Sequence, residues 1–437
     1  MKLTIKENST NYVCSVVEIK EIYDIEGADR IKRTVIFGNN VIVGTDVKIG
    51  DKMLYFVSGT RLNADFCKYN NLLTDAEQNK DKKVGYISHK QFRVKAIKLK
   101  GVISDGILLP IESLSFNESI KYKYLFKGDE FTDIDGVSIC EKYFVPCRNS
   151  NPGGKAPKSI KINRLVDNQF FLHNDTDNLR KNIHKLNPKD IIGIHYKKHG
   201  TSVVIGNVLV KKALKWYEKL AKKVGLNIID TEYDIIYSSR KVIKNGYLNT
   251  NPNSFYKTDI WGDVRNEVKD KIPKNYTLYG EILGYETTGS AIQGGYDYGC
   301  NIGEHKFYVY RITVVNPDGN LIELTDKQIH EFCEKHGFLF KDTFIYYGKA
   351  EDLYTDINLN EHWHQNLLEK LEEEFNEKDC YMCKNQVPEE GIVLRVEKTF
   401  EYEAYKLKSK KFLLKESEMQ EQDIVNIEDN QLIEENA

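Results

Sequence analysis

Neither sign of charge dominates this chain. Its 63 Lys and Arg stand against 65 Asp and Glu, so any polyanionic partner must be met by local patches and not by bulk charge. No stretch approaches the roughly 18 to 20 apolar residues that a membrane span requires. Met1–Lys6 leads directly into a polar strand and carries no apolar signal segment. The eight cysteines are scattered through 437 residues and make no disulfide framework. Reduced thiols in an intracellular, cytoplasmic protein are expected. There are no internal repeats. What remains is a soluble globular composition, 41% hydrophobic and 29% charged, in a chain long enough for two domains. The 27 Tyr and 19 Phe suit stacking surfaces, and equally an AT-rich genome.

Short runs rich in Val, Ile and aromatics occupy the first ~115 residues: Tyr12–Ile19, Arg30–Phe37, Asn40–Gly44, Lys48–Val57 and Phe92–Lys100. Gly38-Asn39-Asn40 and Gly50-Asp51 separate them as turns. With one helical interruption near Asp65–Leu73, they predict a small β-barrel of OB type over 1–140. Arg93, Lys95, Lys98 and Lys100 alternate with apolar residues. They read either as a phosphate-tracking strand or as a lysine-protected edge. Residues 141–170, with Asn149–Lys155 at their centre, read as a linker. Beyond them strands alternate with amphipathic helices over Lys211–Val224, Asp259–Lys271, Asp326–His336 and Glu361–Glu377. Residues 416–437 carry no Lys or Arg and read as a solvated acidic tail. The basic residues of Lys211–Lys223 are read as a solvated helix face or an RNA contact.

The chemistry centres on His195-Tyr196-Lys197-Lys198-His199-Gly200-Thr201-Ser202. K-x-x-G alone is uninformative, since it also begins at Lys82, Lys98 and Lys222. What lifts the Lys197 copy is its setting: an apolar extended segment, Ile191–Ile194, leads in, Gly200 permits a tight reversal, and a strand follows. Such a corner can project a lysine into a cleft. Downstream, in order, come a strand with a carboxylate among apolar residues (Tyr276–Ile282, Glu281), a second such strand (Glu389–Arg395, Glu390) and Ala404–Lys408. In the last, Lys406 and Lys408 share a face by the two-residue repeat of a strand.

Together these segments resemble the covalent nucleotidyltransferases, the family of polynucleotide ligases and mRNA capping enzymes. The matching motifs are Lys197–Gly200, Ser239-Arg240, Tyr279-Gly280-Glu281, Phe307–Ile312, Glu390–Val393 and Lys406–Lys408. The K-x-H-G-T-S form of the first resembles nick-sealing RNA ligases. A preceding barrel looks like the RNA ligases of the Deinococcus and Naegleria kind. The implied fold is α+β: an OB-type β-barrel, then an ATP-grasp-like nucleotidyltransferase domain of antiparallel sheets flanked by helices over 171–415. The implied activity is ATP-dependent RNA ligation. Lys197 would take AMP from ATP, pass it to an RNA 5′-phosphate, and a 3′-OH would displace it. RNA or an RNA-containing nicked duplex is the implied partner, and a monomer is expected.

By the same resemblance Tyr196, Lys198, Gly200, Arg180, Arg240, Glu281 and Tyr310 bind the nucleotide, with Glu281 and Arg240 on the ribose and Tyr310 on adenine. Lys406 and Lys408 hold the transferring phosphate, His199 acts after adenylation, and Glu390 holds Mg2+ or Mn2+ through water. Retained waters and hard oxygen ligands suit those ions. A free lysine titrates near 10.4, so an amine neutral at physiological pH costs about 4 kcal/mol of environment, from desolvation and nearby cations. Arg311 stands where related ligases often have Asp.

A capping guanylyltransferase and a DNA ligase are the competing activities. Both usually need an OB domain after the last motif, and only about 30 residues follow Lys408. A non-catalytic RNA-binding protein is the third reading. Residues beyond ~170 are expected to suffice for self-adenylation, with the barrel engaging RNA. Cys380 and Cys383, with His362 and His364, are a weak zinc pattern against a plain pair of thiols on a turn. Gly294–Gly299 lacks the G-K-[ST] ending of a phosphate loop and reads as a mobile segment.

Overall fold

The computed structural model describes residues 1–144, 164–244, 258–340, 344–375 and 377–421. The Asn149–Lys155 run and the chain beyond 421 lie outside these residues.

The N-terminal third is a curled β structure. Strands Ile107–Pro110, Lys52–Phe56, Cys14–Glu18 and Glu130–Phe131 pair in that order, and Tyr23–Asp24, Ile31–Ile36 and Asn39–Gly44 form a second sheet. Phe37 and Gly38 turn the latter hairpin with φ of 50° and 75°, the left-handed pair that matches strand twist. Along Asn39–Gly44 alternate residues are buried, as a half-covered strand requires. Phe56, Phe66 and Phe131 are fully buried in the core, each contributing about 1.5–3 kcal/mol. The interrupting helix is Ala64–Tyr69, started by the Asn63 side chain accepting from the Asp65 and Phe66 amides. A last strand, Cys140–Lys142, pairs with Thr60–Leu62.

Two sequence readings fail here for one reason. Glu416 does not begin a solvated tail, because helix Lys410–Glu421 continues through it with Ser417 and Gln420 buried. Phe92–Lys100 is correspondingly not one phosphate-tracking strand. Phe92 has φ 53°, and only Ala96–Leu99 is strand. Arg93 is 1% exposed and bonds the C-terminal helix, and Lys95 pairs with Glu421. Lys98 and Lys100 stay exposed.

The remainder holds two antiparallel-rich sheets. One runs Asp177–Asn178, Glu403–Lys408, Gly391–Val396, Ile191–Tyr196, Tyr346–Lys349. The other runs Thr231–Ser238, Thr201–Lys211, Tyr276–Gly284, His305–Val315, Leu321–Glu323, with Leu339–Phe340 also on His305–Val315. Helix Trp363–Phe375 buries Trp363, Leu367, Leu368, Leu371 and Phe375, an apolar face at helical spacing turned to the first sheet. Helix Asp326–His336 starts with a Thr325–Gln328 capping box and ends at Gly337 with φ 69°. The basic helix is shorter than the expected Lys211–Val224. Strand pairing extends to Lys211, leaving Trp216–Lys223 as an exposed helix. Among the described residues no helix is long and apolar enough to cross a membrane.

Arg311 serves the core. Its guanidinium lies between the Tyr279 and Tyr402 rings, 4.3 and 4.4 Å from their centroids, and pairs with buried Glu323, with Nε 3.0 and 3.2 Å from the two carboxylate oxygens. Removing one partner would strand a buried charge. Glu323→Ala is therefore expected to destabilise this region by about 3–5 kcal/mol, read as a lowered urea midpoint; an unchanged midpoint would contradict this role.

Candidate active site

The two sheets part at residues 197–200. Ile191–Tyr196 belongs to one and Thr201–Lys211 to the other, so the intervening corner opens into the space between them. The Lys197 amide donates to the Gly391 carbonyl at 2.8 Å, which anchors the corner. Gly200 is required by close approach: a Cβ there would sit 2.3 Å from the Ile282 carbonyl oxygen and 2.9 Å from Glu281 Cγ.

The cleft so formed has a cavity volume of about 150 Å3. Tyr196, Lys197, Lys198, Arg180, Arg240, Glu281, Tyr310, Glu390, Lys406 and Lys408 all line it. They come from segments far apart in the chain, joined by register: Ser202 opposite Glu281, Val393 opposite Lys406, Gly391 opposite Lys408. His199 stands just behind this wall, its ring against Tyr296 and Phe412, at centroid distances of 4.9 and 5.0 Å. Its amide donates to the Tyr298 hydroxyl at 2.6 Å. The glycine-rich segment is thus a packed wall with Tyr296 and Tyr298 buried, not a mobile loop.

Lys197 Nζ lies 2.8 Å from Glu390 Oε1, and His199 Nδ1 lies 3.4 Å from Glu390 Oε2. Burial opposes charge on Glu390, but Lys197, His199 and Lys408 outweigh it and hold the carboxyl down at about 2. The paired lysines diverge. Burial, then the charges of Arg240 and Lys408, pushes Lys406 down to about 7. Burial acts the same way on Lys408, but Glu416, with Nζ–O distances of 3.0 and 3.1 Å, more than reverses it and raises this lysine. Arg240 pairs with Asp175, Nε to Oδ1 3.1 Å. The Tyr310 hydroxyl sits 2.8 Å from His173 Nδ1 and 3.2 Å from Ser202 Oγ. Arg180 is buried against Glu372, 3.1 Å away.

Several lining residues carried no signal in the sequence. His173 lies in a polar run without periodicity, as does Asp175, the partner of the lining Arg240. Tyr12, Ser58, Gly59, Lys142 and Tyr143 reach the cleft from the barrel, which therefore walls the same space as Lys197 and is not a separate platform. Glu416 enters from the C-terminal helix.

Among the described residues no three ligand-type side chains converge on a metal position. His364 is engaged with the Leu186 carbonyl, 2.8 Å away, and Cys380 and Cys383 contact each other. A single buried carboxylate such as Glu390 suits a hydrated divalent ion whose remaining ligands are water and phosphate oxygens.

The depressed Glu390 carboxyl sets a pH dependence. Its contribution to stability is complete above the ordinary glutamate value and drains as pH falls toward about 2. Lys197→Met removes its strongest attractive partner, so the variant is expected to unfold at higher pH in an acid titration followed by circular dichroism; an unshifted acid transition would refute the pairing.

The RNA ligase family model matches residues 194–415, and an OB-fold domain model matches residues 13–111. No curated protein matches the chain in sequence. Among solved structures, Naegleria gruberi RNA ligase with PPi is 17% identical at a TM-score of 0.59, the match covering 93% of this chain and 98% of that one. A mutant of that ligase with AMP and Mn is 17% identical at 0.59, covering 92% and 98%. Another mutant with ATP and Mn is 15% identical at 0.58, covering 95% and 99%. These likenesses show a shared fold across both parts of the molecule. The family match spans the corner, both carboxylate strands and the lysine strand, and by it the chain belongs to the RNA ligase family.

Proposed function

We propose that the protein is an ATP-dependent RNA ligase that joins 3′-OH and 5′-phosphate ends, at nicks in duplex, through AMP bound covalently to Lys197. One observation carries the reading: Lys197, Glu281, Glu390, Lys406 and Lys408, far apart in sequence, line a single cleft. The Naegleria ligase structures with ATP, AMP and PPi support this choice of nucleotide.

In the first step the neutral Lys197 amine attacks the α-phosphorus of ATP. A nitrogen–phosphorus bond forms, the bond to the pyrophosphate oxygen breaks, and the amine proton is released. In the second, an RNA 5′-phosphate oxygen takes the AMP and frees the amine. In the third, the 3′-OH attacks that 5′-phosphate and AMP leaves with the bridging oxygen. The cleft supplies what these steps need, which is positive charge placed before the phosphates arrive. Lys406 and Lys408 share one strand face and would hold the transferring phosphate. Arg240 and Glu281 would take the ribose hydroxyls, and Tyr310 the adenine. Tyr196, Lys198 and Arg180 complete the nucleotide wall. Lys142 adds a cation from the barrel, and its charge reaches Lys406. Arg93 and Lys95, engaged with the C-terminal helix, are not assigned to RNA.

Before attack the Lys197–Glu390 pair must separate. Mg2+ or Mn2+, held through water by Glu390, would take up the carboxylate charge and supply further positive charge at the phosphate. His199, buttressed by two aromatic rings, sits beside the same carboxylate and would act once the nucleotide is attached.

The deciding measurement is label transfer from α-labelled nucleotide to protein without RNA. ATP with a divalent metal is expected to label the wild type and not Lys197→Ala; label from GTP alone, or none from ATP, refutes the proposal. Lys406 adds a pH signature. Titrating near 7 in the free protein, it is neutral above that value, and binding a phosphate must return its proton. ATP binding to Lys197→Ala is therefore expected to take up a proton and to weaken about tenfold between pH 7 and 8.5; pH-independent calorimetric affinity would remove Lys406 from the phosphate site.

A further inference from the structure

The strand bearing Lys406 and Lys408 runs directly into helix Lys410–Glu421, and the contacts of that helix divide along its length. At its start, Ser409 donates its amide to the Glu390 carbonyl at 2.9 Å and its hydroxyl to the Glu389 carbonyl at 2.7 Å. The same hydroxyl accepts from the Phe412 amide at 3.1 Å. Phe412 then packs on the His199 ring. In its middle, Glu416 returns to Lys408 with both carboxylate oxygens, at 3.0 and 3.1 Å. At its end the helix leaves the nucleotidyltransferase part and grips the barrel. Arg93 donates to Gln420 Oε1 at 2.7 Å and to the Ser417 carbonyl at 3.0 Å. Gln91 donates to the Gln420 carbonyl at 2.9 Å, and the Ala96 amide to Ser417 Oγ at 3.2 Å.

Glu416 and Gln420 are four residues apart and so lie on one helix face; both line the nucleotide cleft. The barrel end is closely fitted, with Arg93 1%, Gln420 6% and Ser417 7% exposed. A buried guanidinium with directed partners tolerates little displacement, because any lost bond leaves a polar group stranded. A shift of the barrel therefore cannot leave the helix in place, and the helix carries the carboxylate that holds Lys408.

We propose that Glu416 is a positioning residue for Lys408, and that this helix transmits docking of the barrel, through Arg93, to that lysine. The barrel then governs nucleotide transfer by two routes: the side chains it lends to the cleft, among them Tyr12 beside Lys408, and the orientation of that lysine through the helix. The inference rests on the lysyl-adenylate reading above.

The test uses the full-length chain and the rate of protein labelling by α-labelled ATP, over a range of ATP concentrations, for Glu416→Gln, Arg93→Met and the double variant. Thermal melts first establish that each is folded; Glu416→Gln, nearly isosteric and only partly buried, guards against failure of the buried arginine variant. Each single variant is expected to label at least tenfold slower at saturating ATP with KM changed much less, because Lys408 is misplaced and not removed. The double variant is expected to be no slower than the worse single one, since both break one chain of contacts. Glu416→Asp is expected to recover part of the rate. Folded variants that label at the wild-type rate, or a double variant showing the product of the two losses, would overturn the proposal. Wild type and Lys197→Ala run alongside: an unlabelled wild type removes the adenylation reading itself, whereas a labelled wild type with unaffected variants removes only the role of the helix.

Discussion

Strand Gly391–Val396 lies between Ile191–Tyr196 and Glu403–Lys408 and pairs antiparallel with both. At its first residue the backbone has φ 134°, and a Cβ would lie 2.0 Å from the Leu407 carbonyl oxygen. Only glycine fits. Its carbonyl takes the Lys197 amide, Lys408 is its register partner, and Glu390 precedes it. Three charged side chains from distant segments are thus placed by one backbone junction. A slip of one residue along the Glu403–Lys408 edge would turn Lys408 to the opposite face, since strand side chains alternate.

Charge in the cleft is arranged as cations already matched by protein anions: Lys197 with Glu390, Arg240 with Asp175, Lys408 with Glu416, Arg180 with Glu372. Burying these cations without partners would be far more costly. The pairs keep the positive groups in place in the free protein, and a phosphate can exchange for a carboxylate partner at modest net cost. Lys406 is treated differently. It is deep, with three cations among the groups acting on it, and burial and those charges together weaken its hold on the proton. It is the group best suited to respond when an anion enters.

The barrel and the nucleotidyltransferase part are less separable than their sequences imply. Barrel side chains form one wall of the cleft, and the C-terminal helix ties barrel to lysine strand through buried polar contacts. Arg93, which in a linear reading belongs to a basic strand facing solvent, is instead the buried centre of that tie. Arg311 is a parallel case: an arginine in a strand otherwise associated with nucleotide contacts is consumed by Glu323 and two tyrosine rings.

Local pattern by itself determined much of this protein. Runs of Val, Ile and aromatic residues between turn signals marked the barrel strands, and two-residue alternation marked the Lys406–Lys408 face. The Thr325–Gln328 cap and Gly337 bounded helix Asp326–His336, and the order of Lys197, Glu281, Glu390 and the lysine pair pointed to the chemistry. These features act between near neighbours in the chain, so they are written in spacing. Only tertiary structure decided that Asp175 belongs to Arg240, Glu416 to Lys408, Gln420 to Arg93, and that Lys142 enters the cleft. Those partners lie tens to hundreds of residues apart or, for Glu416, at the start of an acidic segment that looks solvated. Nothing in spacing marks a carboxylate as spoken for, because its partner and its burial exist only once the sheets and the barrel have closed on one another.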